Sequence, residues 1–232
     1  MRSRRVAARE ESARRAGRKA PAGSVRSGPV VATHLCVPAE DQTPEGVTGE
    51  TFWVEPGLLL AGPYPGHLDQ DQAEAKLAAL LDLGVDTFLD LTEEGEVGPS
   101  GDPLVPYDEL ALQLARDRGI AGSYLRMPIR DLDVPEVWHM DAMLLLIANR
   151  ILDGGCVYVH CLGGVGRTGT VLGCRAIELG TPPTDVFALL SKLRAGTTRA
   201  GRPTPETDAQ RAFVTGWASR GESPRAQTTE HG

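Results

Sequence analysis

The sequence predicts an α/β fold: one domain with a central, mostly parallel sheet flanked by helices. Three observations predict it. Short apolar runs of strand type alternate with longer stretches whose apolar residues recur at helical spacing, the order that builds parallel sheets. One strand-type run, 156–160, passes through a glycine-rich loop directly into a helical stretch. The chain has 232 residues, 41% hydrophobic and 24% charged, which suits one core with tails.

Taken in order, residues 52–54 and 58–61 read as a short hairpin-like pair around Pro56-Gly57. Ala73, Leu77, Leu80 and Leu81 share one helical face, and Gly84 ends that helix. The compact apolar run 85–91 reads as a buried strand. A helix around 107–118 follows and stops at Gly119, and 123–129 reads as another strand. Met140, Met143, Leu144, Ile147 and Ile151 then mark one face of a long helix that ends at Gly154-Gly155. Strand 156–160 leads through the loop to a helix from about Thr168. Val186, Leu189, Leu190 and Leu193 mark a further helix, and about 204–218 a last one. No internal repeat is present.

These elements fall within 46–220. Residues 1–45, rich in Arg, Ala, Gly, Ser and Pro without a period, read as a disordered basic tail, and 221–232 as a second disordered tail. A transit peptide, a nucleic-acid tail or a wrongly assigned start codon are competing readings of the basic start. Residues 1–27 carry nine Arg or Lys against two Glu, so the net charge of -7 hides a body near -14. An acidic body argues against a nucleic-acid partner. No apolar run approaches the roughly 18 residues that span a bilayer, so no membrane association is expected. The four cysteines, Cys36, Cys156, Cys161 and Cys174, fit no zinc spacing, and no secretory core follows the basic start. A reducing, cytoplasmic setting is therefore expected.

The chemistry concentrates at 160–169, HCLGGVGRTG. Between Cys161 and Arg167 lie Leu162, Gly163, Gly164, Val165 and Gly166. Glycines let a backbone curl tightly and turn its N–H groups inward as an anion nest. The loop opens a helix, whose N-terminus favours negative charge. Arg167 adds a planar fork matched to phosphate oxygens. A cysteine at the base of such a cradle should lose its proton readily and act as a nucleophile. A nucleotide-binding loop has the same strand–loop–helix layout. Its lysine is missing, because the two candidate positions hold Leu162 and Arg167.

A cysteine and an arginine separated by five residues form the CX5R motif, and the full run resembles the dual-specificity phosphatase family. FWVEPGLLLAG at 52–62, LLDLGVDTFLDLTE at 80–93 and PIRDLDVPE at 128–136 are similar to consecutive segments of its small atypical members. The resemblance covers about 50–217. It implies a phosphocysteine mechanism without metal or other cofactor. Cys161 is the implied nucleophile. Arg167 and the N–H groups of 162–167 would bind the phosphate oxygens. Thr168 would assist the departing sulfur, and His160 would orient the loop and help hold the thiolate. The competing readings are a plain helix N-cap for Thr168 and a structural histidine for His160.

The family's general acid is an aspartate on a loop about thirty residues before the cysteine, which leaves Asp131 and Asp133. Asp133 stands before Val134-Pro135-Glu136 at a capping-box spacing, and that would give it a structural task. Asp131 has no such task, and its place after Pro128-Ile129-Arg130 matches the family's acid, so the resemblance implies Asp131. Gln210 falls where relatives place a polar residue near the loop, which would position the hydrolytic water; an exposed helix glutamine is the competing reading.

The absence of Lys, Arg and His from 162–166 argues against highly phosphorylated inositol substrates. The expected partner is a phosphorylated protein, phosphotyrosine favoured and phosphoserine or phosphothreonine next. A small-molecule or inositol phosphomonoester is the alternative. A sulfurtransferase and a non-catalytic phosphate-binding module are the readings from other classes.

Overall fold

The computed structural model describes residues 49–221. The predicted tails 1–45 and 221–232 lie outside them, apart from Gly221, as does Cys36. The described chain runs β1 (Phe52–Glu55), β2 (Leu59–Gly62), α1 (Gln70–Asp82), β3 (Thr87–Asp90), α2 (Asp108–Asp117), β4 (Ser123–Arg126), α3 (Val137–Leu152), β5 (Val157–His160), α4 (Gly166–Glu178), α5 (Val186–Leu193) and α6 (Asp208–Trp217), closed by a 3-10 turn, Ala218–Gly221.

The five strands form one sheet in the order β1-β2-β5-β3-β4. Only the β1–β2 pair is antiparallel. The other pairs, β2–β5, β5–β3 and β3–β4, are parallel. Strand residues alternate between two apolar layers, so both sheet faces are buried, as a parallel sheet requires. Leu59, Ala61, Leu89, Val157 and Val159 face a core shared with α3, α4, α5 and α6. Leu60, Phe88 and Tyr158 face the core shared with α1 and α2.

The register decides where function can sit. Gly62 pairs with His160, His160 with Asp90, and Asp90 with Arg126. Four parallel strands thus end on one row, and the loops that leave them open on the same edge. Open α/β sheets bind ligands at that carboxyl edge.

Two expectations change at this level. Helix α4 starts at Gly166, two residues before the predicted start, because Gly166 and Arg167 already form its first turn. The predicted cap at Asp133 is absent. Glu136 is the N-cap of α3, with extended backbone and no side-chain bond to the helix, and Asp133 Oδ1 instead accepts from the Val134 N–H at 2.8 Å.

A buried ion pair joins the edge strand to the central helix. Arg175 Nε of α4 donates to Glu55 Oε1 of β1 at 2.6 Å, and the side chains are 8% and 7% exposed. Removing one partner of such a pair strands a charge in the interior, whereas replacing both need not cost stability. Arg175→Met should lower the unfolding free energy by about 3–5 kcal/mol in urea, and the double change Glu55→Met/Arg175→Met should recover most of it.

Candidate active site

Strand β5 delivers His160 and Cys161 to the carboxyl edge, and the loop 162–165 turns the chain into α4. Cys161 is 3% exposed. Gly164 adopts φ +67, and a Cβ there would stand 2.5 Å from the Gly62 carbonyl carbon and oxygen, so the tight curl requires glycine. Among the described residues, none of the backbone N–H groups of 162–167 donates a backbone hydrogen bond. Val165 is the N-cap of α4 and offers no side-chain bond, so the loop amides and the first helical amides form one run of donors.

Arg167 is 1% exposed. Its two terminal nitrogens donate to Glu96 Oε2 and Oε1, each at 2.6 Å. Nη1 also reaches the carbonyls of Ile129 at 3.1 Å and Leu91 at 3.4 Å, and Nη2 lies 2.9 Å from Asp131 Oδ1. Burial alone would lower the guanidinium, but the Glu96 hydrogen bonds and the charges of Cys161, Glu96 and Asp131 outweigh it and hold the group charged. Its Nε has no partner, nor does the hydroxyl of Thr168 one residue on, which is fully buried. Thr168 is the third residue of α4 rather than its cap, so the capping alternative is removed.

His160 is fully buried. Its Nε2 meets the Tyr107 hydroxyl at 2.5 Å, and its Nδ1 lies 3.3 Å from the Cys161 carbonyl. Burial pushes the imidazole down, with Asp90 and the Cys161 carbonyl acting the other way without overcoming it. A neutral ring that donates from Nδ1 to that carbonyl accepts the Tyr107 O–H at Nε2. Beneath it, Asp90 accepts from the Thr92 N–H at 2.8 Å, the Thr92 hydroxyl at 2.7 Å and the Tyr124 hydroxyl at 2.8 Å. Burial and then Asp90 push the Tyr107 phenol well above its ordinary range.

The structure thus brings Cys161, Arg167, Thr168, His160, the loop 162–166 and Asp131 to one place. Gln210 is also there, but it is fully buried rather than exposed. Its Oε1 accepts from the Glu206 and Thr207 N–H groups at 3.1 and 3.2 Å, and its Nε2 donates to the Asp133 carbonyl at 3.1 Å. A Cβ on Gly166 would lie 3.0 Å from Gln210 Oε1, so this amide packs on the loop. Sequence reasoning missed Glu96, Tyr107 and Asp90. The acidic run at 93–96 was the only trace of Glu96, and such runs ordinarily read as a solvated face.

This arrangement holds a thiol at the floor of an anion cradle, with a guanidinium on one side and a carboxylate, 53% exposed, at the mouth. Among the described residues no cluster of His, Cys, Asp and Glu is arranged to hold a metal ion, and no helix is long and apolar enough to cross a membrane.

The model of a family described as "PTP-SAK: Swiss Army Knife protein, DSP-PTPase phosphatase domain" matches residues 48–223. Over 48 residues the chain is 46% identical to the uncharacterized protein MJECL20 of Methanocaldococcus jannaschii, a match covering 21% of this chain and 33% of that protein. The chain thus spans about a third of the length of this curated relative. Among solved structures it resembles Tk-PTP in its active form, with TM-score 0.54 and 23% identity, over 74% of this chain and 97% of that one. It also resembles the core catalytic domain of the PP-IP phosphatase SIW14 from S. cerevisiae, with TM-score 0.50 and 15% identity, over 73% of this chain and 86% of that one. At these identities both are likenesses of fold.

The buried imidazole makes a prediction. A histidine held below its ordinary value of about 6.5 stabilises the fold above that pH, and the contribution drains away as pH falls, because the unfolded chain takes the proton first. The unfolding free energy from urea titrations, followed from about pH 7.5 down to about pH 5, should fall more steeply for the wild type than for His160→Asn, by at most about 1.4 kcal/mol per pH unit.

Proposed function

The chain belongs to the DSP-PTPase phosphatase domain family, and on that premise we propose that it hydrolyses phosphomonoesters of proteins, phosphotyrosine first, through a phosphocysteine at Cys161. The observation that carries this reading is the pair of buried, partnerless donors, Arg167 Nε and Thr168 Oγ1, beside a cysteine under a run of undonated amides. Buried polar groups are ordinarily satisfied. A phosphoryl group, with three acceptor oxygens, suits these donors.

In the first step the Cys161 thiolate attacks phosphorus and the ester P–O bond breaks. Asp131, at the mouth, gives its proton to the departing oxygen. The loop amides and Arg167 meet the three equatorial oxygens, where negative charge is spread in the transition state. In the second step Asp131 takes a proton from water, which attacks phosphorus; the P–S bond breaks and inorganic phosphate leaves. Thr168 Oγ1 donates to the sulfur as it regains its negative charge. Glu96 keeps Arg167 in its plane by a two-point grip. Neutral His160 holds the Cys161 carbonyl and so the loop's entry.

A protein substrate is supported by exposed apolar groups around the acid loop: Leu132, Val137 and Trp138 are 56%, 45% and 68% exposed. A reducing, cytoplasmic setting, the one expected from the cysteine usage, would keep such a thiol from oxidation. One observation favours a second reading, a small polyanionic phosphomonoester. A cavity of about 450 Å³ adjoins Leu162 and is lined by Lys76 and Arg199. Arg199 Nη1 donates to the Gly163 carbonyl at 3.1 Å, but its charge is shared with Glu50 at 3.2 Å, which leaves Lys76, among the described residues, as the cation of that wall without an ion pair.

The wild type should hydrolyse p-nitrophenyl phosphate in EDTA, and Cys161→Ser should show no measurable turnover. Asp131→Asn should lower turnover by about 100-fold or more, the ordinary contribution of a general acid, while Asp133→Asn keeps most of it. Phosphotyrosine peptides should outcompete inositol polyphosphates. The reverse order, weakened by Lys76→Ala, would favour the second reading.

A further inference from the structure

The loop that carries Asp131 has no regular structure between β4 and α3, yet a general acid must stand within hydrogen-bond reach of the leaving oxygen. Its first half is held by the sheet edge: the Met127 and Ile129 N–H groups donate to the Asp90 and Leu91 carbonyls at 2.8 and 3.0 Å. Past Ile129 the chain turns sharply, with the Asp133 N–H on the Arg130 carbonyl at 3.1 Å and Leu132 at φ +62. A leucine with positive φ costs about 1–2 kcal/mol, so other contacts must hold the turn.

Those contacts come from the N-terminus of α6. Thr207 Oγ1 donates to the Leu132 carbonyl at 3.3 Å, and Gln210 Nε2 donates to the Asp133 carbonyl at 3.1 Å. Both side chains are themselves fixed by a capping box, in which Thr207 Oγ1 accepts the Gln210 N–H and Gln210 Oε1 accepts the Thr207 N–H. With Oε1 occupied by the helix, the amide nitrogen has to face the acid loop. The same amide lies against Gly166 of the phosphate loop.

We propose that Gln210, backed by Thr207, is a positioning residue that sets the register of the acid loop against the phosphate loop. This rests on the phosphatase reading with Asp131 as acid. Gln210 then acts on the step that needs the acid, protonation of the leaving oxygen, through the carbonyl it holds.

Gln210→Glu separates this role from simple helix capping. Glutamate keeps the two accepted N–H bonds, as capping boxes allow, but has no N–H for the Asp133 carbonyl. Two measurements apply to it. In hydrogen–deuterium exchange, amides at 130–134 should exchange faster while those of α6 keep their protection. In kinetics, kcat/KM should fall further for phenyl phosphate, whose leaving group needs a proton, than for 2,4-dinitrophenyl phosphate, by about tenfold in the ratio. In an Asp131→Asn background the same substitution should leave that ratio where Asp131→Asn alone puts it. Equal losses on both substrates, or unchanged exchange at 130–134, overturn the proposal. A wild type that hydrolyses neither substrate sinks the phosphatase reading instead, and the exchange result alone then judges the tether.

Discussion

A guanidinium with 1% of its surface exposed governs how this site is assembled. An uncompensated charge in a protein interior costs several kcal/mol, so Arg167 has to find acceptors wherever the fold puts it. It finds them on two other loops. Glu96 and the Leu91 carbonyl follow β3, and Asp131 and the Ile129 carbonyl follow β4. The loops after β3, β4 and β5 are thereby drawn together by one side chain. The Nε atom is left over without a partner, so the residue that ties the loops also keeps one donor unspent.

The convergence is possible because the parallel strands stop in register. Gly62, His160, Asp90 and Arg126 form a row across the sheet, and three of them are polar. Polar side chains at a buried sheet edge need partners, and tyrosines supply them to His160 and Asp90, while Arg126 Nε stands 3.6 Å from Asp90 Oδ2 without a hydrogen bond. The hydroxyls of Tyr107, Tyr124, Tyr158 and Tyr64 meet His160, Asp90, the Pro63 carbonyl and the Val105 carbonyl. The rings of Tyr64, Tyr107 and Tyr158 also pack around the His160 imidazole, with centroids 5.4–5.6 Å away. Hydrogen bonds and ring packing of this kind stiffen the His160–Asp90 centre, which is what the floor beneath a preorganised oxyanion cradle requires.

Much of this was legible before the structure, for a physical reason. The phosphate loop is contiguous in sequence, so its glycines, Cys161 and Arg167 could be read together, and strong apolar periodicity located the helices. What was hidden depends on contacts between distant segments. Glu96 lies 71 residues before the arginine it grips, and Tyr107 lies 53 before the histidine it meets. The capping box read at Asp133 had the right residue types, but Glu136 itself has extended backbone, and the helix begins at Val137. The true capping box of the region is Thr207 with Gln210, and it serves two ends at once. Of the two grounds for Asp131, the cap at Asp133 does not form while the motif match stands, and the contact with Arg167 adds a further distinction from Asp133.

The same logic explains why one cysteine among the three described is set apart. Cys156, Cys161 and Cys174 are all buried, at 3%, 3% and 0% exposure. Burial favours the neutral thiol, and it pushes Cys156 up to about 12 and Cys174 higher still. The charges around them add to the rise: Cys156 meets Asp86, and for Cys174 the carboxylates Glu178 and Asp141 stand against Arg220, which lowers it without overcoming burial. Cys161 is equally secluded but sits under a run of amides at a helix N-terminus, in the field of Arg167. Seclusion alone makes a thiol inert. Seclusion with a ring of unspent donors makes a site where an anion is at home and water is scarce, the environment in which electrostatic stabilisation of a transferring phosphoryl group is strongest.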